Sequence, residues 1–232
     1  MTRSTKARGG SEKALVVLSG GQDSTTCLYW AVDRFGADNV SSVTFDYGQR
    51  HRIELDAAGA VATFAGIPNA VLPIDTFAAL GGNALMNAAI EVAEKPDEQT
   101  ELPNTFVPGR NLVFMTYAAA FAYPRGIRHL VTGVAQTDYS GYPDCRENTM
   151  VALQAALCAG MEYDFEIHAP LMHLSKQQTV ELAARLGALP AMVLTHTCYN
   201  GERPPCGACP ACRLRAKGFA EAGIADPLVD CK

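Results

Sequence analysis

The chain has 232 residues, 48% hydrophobic and 19% charged, which suffices for one packed domain with a modest appendage and argues against disorder. Its formal net charge is −5, the wrong sign for gripping a long nucleic acid. The longest apolar stretch, 112–123, is too short to span a bilayer and is interrupted by Thr116.

Residues 1–12 are basic, but only a short apolar run follows them, so they read as a flexible leader and not as a signal peptide. "KALVVL" (13–18) is a short buried strand. The next segment places Cys27, Leu28, Ala31, Val32 and Phe35 on one helical face and stops at Gly36. "VSSVTF" (40–45) is a second strand, and 52–66 a second helix with Ile53, Ala57, Ala60, Val61 and Phe64 inward. "AVLPI" (70–74) is a third strand. The stretch 81–110 lacks periodicity and reads as a long loop or lid. A helix over 111–124, a strand at 129–134, a helix over 149–161 and a strand at 165–171 follow. Ser175 with Gln178 forms a capping box opening a helix that ends near Gly187.

This alternation predicts an α/β fold: a doubly wound parallel five-stranded sheet with helices on both faces. The main domain is expected at 13–190 and a small cysteine-bearing unit at 191–232. Such sheets bind ligands beyond the carboxyl ends of their strands, near the switch in strand order. The segments 19–24, 46–51 and 136–146 fall there.

The first of these, within "LSGGQDSTTC" (18–27), is a glycine turn between a strand and a helix. Its backbone amides and the helix N-terminus make an anion cradle. It lacks the lysine of a Walker loop, so transfer of a γ-phosphoryl group is not its expected task.

Of the eight cysteines, Cys198, Cys206, Cys209 and Cys212 stand as C-x7-C-x2-C-x2-C. That spacing predicts one closed, structural Zn²⁺ site, with Arg203, Arg213, Arg215 and Lys217 near enough in sequence to offset its charge. A four-thiolate shell has no open position and carries no chemistry. Cys27, Cys145, Cys158 and Cys231 read as packing residues.

The order S-G-G-x-D-S-T after an apolar strand resembles the PP-loop of the ATP pyrophosphatase superfamily. "FDYGQRH" (45–51), "TFVPGRN" (105–111), "TDYSGYPDCR" (137–146) and the cysteine tail narrow the resemblance to the 7-cyano-7-deazaguanine synthase (QueC) family of queuosine biosynthesis. The resemblance implies an ATP-dependent carbon–nitrogen ligase that converts 7-carboxy-7-deazaguanine and ammonia to the nitrile, through an acyl-adenylate and an amide. It places the nucleotide-binding stretch at Leu18, Ser19, Gly20, Gly21, Gln22, Asp23, Ser24, Thr25, Thr26, Cys27 and Leu28. ATP, with Mg²⁺, is then a co-substrate, and Asp23 orients the loop or reaches the Mg²⁺.

For the guanine-like ring, a carboxylate at Asp138 or Asp144 would match the N1–H and N2–H₂ edge, and Tyr139 and Tyr142 could stack on it. Arg110 and Arg146 are candidates for the substrate carboxylate or the α-phosphate, and His51 for moving protons. Lys176 faces either the phosphates or solvent. A cytoplasmic homodimer acting on small molecules, with no nucleic-acid or membrane partner, is expected. A tRNA thiolase of the same superfamily is the nearest alternative, but it would need a reactive cysteine and usually a tRNA-binding appendage. A zinc-stabilised nucleic-acid module is an alternative from another class; the intact loop argues against it.

Overall fold

The computed structural model describes residues 12–49, 51–77, 102–136 and 141–229. Residues 81–101 of the expected lid, 81–110, lie outside them. Five strands, β1 (Ala14–Val17), β2 (Val40–Asp46), β3 (Asn69–Pro73), β4 (His129–Val131) and β5 (Glu166–His168), form one sheet. The order is β3-β2-β1-β4-β5 and every pairing is parallel. The order reverses between β1 and β4, so their carboxyl ends flank the crevice where such sheets hold ligands.

The helices are α1 (Gln22–Phe35), α2 (Ile53–Phe64), α3 (Arg110–Ala122), α4 (Glu147–Met161), α5 (Lys176–Arg185), α6 (Leu189–Met192) and α7 (Pro210–Ala222). Strand alternation divides the core into two layers. Ala14, Val16 and Val131 pack with Cys27, Leu28 and Ala31 of α1 and with Ala58, Val61 and Ala62 of α2. Leu15, Val43 and Leu130 pack on the other face with Met115, Ala118, Ala119 and Ala122 of α3 and with Met150 and Leu157 of α4.

All five predicted strands and the predicted helices of the main domain are present, with strand ends trimmed by up to three or so residues, as is usual at element boundaries. The α2 face is a correction. Phe64, expected inward, is 56% exposed, while Ala58 and Ala62 are buried in its stead. Close packing of α2 against the strands selects small residues over the large ring. The capping box at Ser175 is formed in both directions, Gln178 N–H to Ser175 Oγ at 3.2 Å and Ser175 N–H to Gln178 Oε1 at 2.8 Å.

The helices α6 and α7 have no counterpart in the sequence-based reading. The C-terminal unit expected from residue 191 shares a small core with the main domain: Val180 and Ala183 of α5 meet Met192 and Phe219. Arg215 of α7 clamps it. Its Nε and Nη2 donate to both Asp226 oxygens at 2.7 Å, and its Nη1 donates to Thr195 Oγ1 at 2.9 Å. Arg215 is therefore spent on Asp226 and not on offsetting the thiolates, as its place in the sequence suggested.

Candidate active site

The glycine loop sits at the strand-order switch. Leu18 N–H still donates to Val43 O at 2.8 Å, so the chain leaves the sheet only at Ser19. Gly20 makes the turn at φ +81°. A Cβ there would lie 2.5 Å from Glu54 O and 2.7 Å from Ala58 N, so the loop rests on the α2 backbone with no room for a side chain. Within the loop, the Ser24 hydroxyl accepts from Ser19 N–H at 3.2 Å and donates to Gly21 O at 3.1 Å, and Thr25 Oγ1 donates to the same carbonyl at 2.8 Å. Gly133, just past β4, closes the other side, where a Cβ would stand 3.0 Å from Ser24 N. These contacts hold the loop at the N-terminus of α1, where the helix dipole favours an anion.

A cavity of about 320 Å³ opens over the loop. At one end Lys176 Nζ lies 2.6 Å from Asp23 Oδ2, with the two side chains 12% and 28% exposed. Asp23 Oδ1 and Gln22 Nε2 are buried and have no hydrogen-bond partner among the described residues, and both residues line the cavity. At the other end Arg110 reaches Tyr47 Oη with Nη1 at 3.3 Å, its guanidinium 5.8 Å from the centre of the Tyr47 ring. The Tyr142 hydroxyl shares a 2.6 Å hydrogen bond with Thr105 Oγ1. Glu54, also on the wall, is pushed up to about 7 by burial, with the positive charge of Arg110 opposing the shift.

Behind the loop lie the four cysteines. Their sulfur atoms fall within 4.8 Å of one another, and Cys206 Sγ to Cys212 Sγ is 3.9 Å. A tetrahedron with zinc–sulfur bonds of about 2.3 Å has edges of about 3.8 Å, so the thiols fit such an ion. Cys209 N–H donates to Cys206 Sγ at 3.3 Å, and α7 starts at this residue with Pro210 in its first turn. One segment joins the cysteines to the loop. His196 N–H donates to Gly20 O at 2.9 Å, and the His196 ring, through Nε2, reaches Cys198 O at 2.8 Å.

The family model of the queuosine biosynthesis protein QueC matches residues 13–223. The chain belongs to the QueC family. A 7-cyano-7-deazaguanine synthase of Chromobacterium violaceum is 68% identical to this QueC chain over 223 residues, covering 96% of this chain and 95% of the relative. One from Laribacter hongkongensis is 65% identical, covering 94% and 95%, and one from Azorhizobium caulinodans 50% identical, covering 91% and 94%.

Among the described residues of this QueC chain, the expected nucleotide- and substrate-site residues other than Gly20 separate into three groups. Leu18, Ser19, Gly21, Gln22, Asp23, Ser24, Arg110 and Tyr142 line the cavity. Thr25, Thr26, Cys27 and Leu28 are fully buried away from it. Thr26 Oγ1 donates to Gln22 O at 3.0 Å and Cys27 Sγ to Thr132 O at 3.5 Å, so the second half of the expected nucleotide stretch is helix core. His51, Asp144 and Arg146 stand off the cavity wall. A Cβ on Gly201 would run into the His51 ring, which shows how closely that imidazole packs on the C-terminal unit. Asp144 is buried and accepts from Asn111 N–H at 2.9 Å, so its carboxylate caps the first turn of α3. Arg146 is exposed, with Nη2 3.5 Å from Gly141 O. Asp138 and Tyr139 lie outside the described residues.

Among the cavity residues, Tyr47, Glu54 and His196 were not singled out by the sequence, and Lys176 was left undecided. Burial lowers the His196 pKa, with the hydrogen bond to Cys198 O opposing the shift. No local pattern marks Glu54 or His196. Only the packing of α2 and of the C-terminal segment around the loop brings them in.

Proposed function

We propose that this QueC chain is a 7-cyano-7-deazaguanine synthase, converting 7-carboxy-7-deazaguanine, ammonia and ATP to the 7-nitrile, AMP and pyrophosphate. The observation that carries the reading is the lysine-free glycine loop at the β1–β4 switch, in a chain whose relatives at 68% and 65% identity bear that enzyme's name.

The loop amides and the N-terminus of α1 bind the departing pyrophosphate. Lys176 adds a positive charge there, and the unpartnered Asp23 Oδ1 is placed to hold Mg²⁺ or its water. Mg²⁺, when bound, offsets phosphate charge in the transition state. Arg110 draws the substrate carboxylate towards the α-phosphorus. A carboxylate oxygen attacks that phosphorus and pyrophosphate leaves, giving the acyl-adenylate. Ammonia then displaces AMP to give the amide, and Glu54 takes a proton from the attacking nitrogen. A second adenylation, on the amide oxygen, lets the nitrogen lose its protons as AMP departs, which forms the nitrile. Tyr47 and Tyr142 offer ring faces to the deazaguanine. Asp138 remains our candidate for its N1–H and N2–H₂ edge, now that Asp144 is committed to α3.

We take the ion of the four cysteines to be Zn²⁺ with a structural role, and the units 13–190 and 191–232 to act as one body through the packing of Phe219 and Met192 on Val180 and Ala183. No helix among the described residues is long and apolar enough to cross a membrane, and we place the enzyme in the cytoplasm. We assign a homodimer to the outer face of α3 and α4, where Tyr117, Ala120, Val151, Ala152, Ala155, Ala156 and Ala159 are exposed without a charge among them.

Separation of nucleotides after incubation with all three substrates tests the chemistry. AMP and the nitrile, identified by mass, are expected. ADP as the only nucleotide product would overturn the adenylation mechanism.

A further inference from the structure

At the end of β4 and β5 away from the cavity, two histidines and a carboxylate converge. His129 opens β4 and pairs in register with Glu166, which opens β5. His168 follows two residues on, so it shares a face of the sheet with Glu166. That face is covered by α1. The Phe35 ring centre is 4.8 Å from that of His129, and the Trp30 ring centre 5.4 Å from that of His168.

We propose that His129, His168 and Glu166 form a binding site for a divalent transition-metal ion, separate from the four cysteines. His129 Nδ1 lies 3.0 Å from His168 Nε2 and 3.3 Å from Glu166 Oε2, and His168 Nε2 lies 3.6 Å from Glu166 Oε1. One donor atom from each of the three residues lies within 4.8 Å of the other two, and bonds of about 2.0–2.2 Å to nitrogen and oxygen give a tetrahedron with edges of about 3.3–3.6 Å, so a small turn of the Glu166 carboxylate brings one oxygen into a ligand triangle with the two nitrogens. A mere hydrogen bond between the rings would account for one nitrogen pair but not for a carboxylate near both nitrogens. The opposite edge of His129 is also provided for: its Nε2 faces Glu12 Oε2 at 3.6 Å. A carboxylate on that side favours the tautomer protonated at Nε2 and leaves the Nδ1 lone pair for the metal.

The remaining charges favour a cation. Glu12 and Glu166 bring two negative charges, and Arg34, stacked over Trp30 and Phe35, brings one positive charge to the same end of α1. Two imidazoles select zinc, cobalt or nickel over magnesium or calcium, and the aromatic roof keeps the ligand side chains 9% exposed at the histidines while Glu166, at 53%, faces solvent. Water can complete the shell on that open side. The ion would brace β4 to β5, two short strands of three residues each.

The test counts zinc bound to the full chain, loaded first at its cysteines and then dialysed against micromolar Zn²⁺. Two equivalents are expected in the unaltered protein and one in His129→Gln, His168→Gln and Glu166→Gln. Because Glu166 is half exposed, Glu166→Gln tests the site without threatening the fold. Glu12→Gln should weaken the second equivalent about tenfold, as loss of an outer-shell partner does. Zn²⁺ should also raise the melting temperature of the zinc-loaded protein but not that of Glu166→Gln. A single equivalent in the unaltered protein, or a second one retained by all three ligand variants, would overturn the proposal.

Discussion

Glu54 is the residue whose charge state the cavity leaves most finely balanced. Its pKa stands at about 7, against 4.5 for an ordinary glutamate, because ionising it inside the cavity forfeits water. The sign follows from proton binding. Between the two values the native chain holds a proton that the unfolded chain has lost, so stability falls as pH rises through this window. The ionisation penalty is absent below about pH 4.5, grows towards pH 7 and is complete above it; a shift of this size corresponds to about 3 kcal/mol. Glu54→Gln should remove the pH dependence, so denaturant midpoints of variant and parent diverge progressively from pH 4.5 to 7. The same substitution should slow amide formation by about 100-fold at fixed free ammonia and erase the rising limb near pH 7. An unchanged limb would assign the proton to another group, His196 first.

Glu54 and His196 also show where reading the sequence stops. The glycine turn after β1 and the clustering of the four cysteines were legible because their pattern is written in neighbouring residues. Asp144 was legible as a polar residue in the right segment, but a carboxylate that could read a purine edge can equally cap a helix, and Asn111 N–H took it. The choice is made by the approach of two segments thirty-three residues apart.

At the scale of elements, the decisive feature is the absence of space between the loop and α2. Gly20→Ala adds one carbon that would stand 2.5 Å from the Glu54 carbonyl oxygen, at a φ that alanine rarely adopts. We expect the loop to lift off α2, with nucleotide affinity falling at least tenfold while the β-sheet circular dichroism is kept. Equal affinity in parent and variant would show that the loop tolerates displacement. The cysteine unit invites the complementary experiment. Cys209→Ser removes a sulfur and should lose the ion, and the melting temperature should drop because metal binding there is coupled to folding of the α7 start. A variant without metal yet fully stable would refute the structural role. The strands were predictable from short apolar runs set between helix-period segments. The amphipathic logic failed at Phe64 because periodicity gives the direction of a face but not the distance to the layer beneath.

On the scale of the whole molecule, α3 and α4 are apolar nearly all round, which is unusual for helices with only one neighbour layer. Their inner faces meet β1, β2 and β4, while Tyr117 and Val151 are 46% and 65% exposed. Sedimentation should report a dimer for the unaltered chain, and Val151→Glu should shift it to monomer without lowering helix content. A monomer at micromolar concentration in the parent would remove the assignment. The doubly wound sheet itself was legible from the alternation of elements. The merging of the C-terminal unit with α5 was not, because it depends on Phe219 and Met192 finding Val180 and Ala183 across a long stretch of chain.

The tie between Gly20 and His196 has a consequence in time. A ribosome makes the loop well before residue 196, so throughout the interval between them the Gly20 carbonyl has no partner at His196. The wall of the cavity contributed by His196, Tyr199 and Arg215 arrives equally late. The nascent protein can therefore assemble its sheet while its nucleotide site is still unfinished. On the proposed mechanism, adenylation, which would waste ATP on a chain not yet able to deliver ammonia to the acyl group, would become possible only when the last segment has folded back.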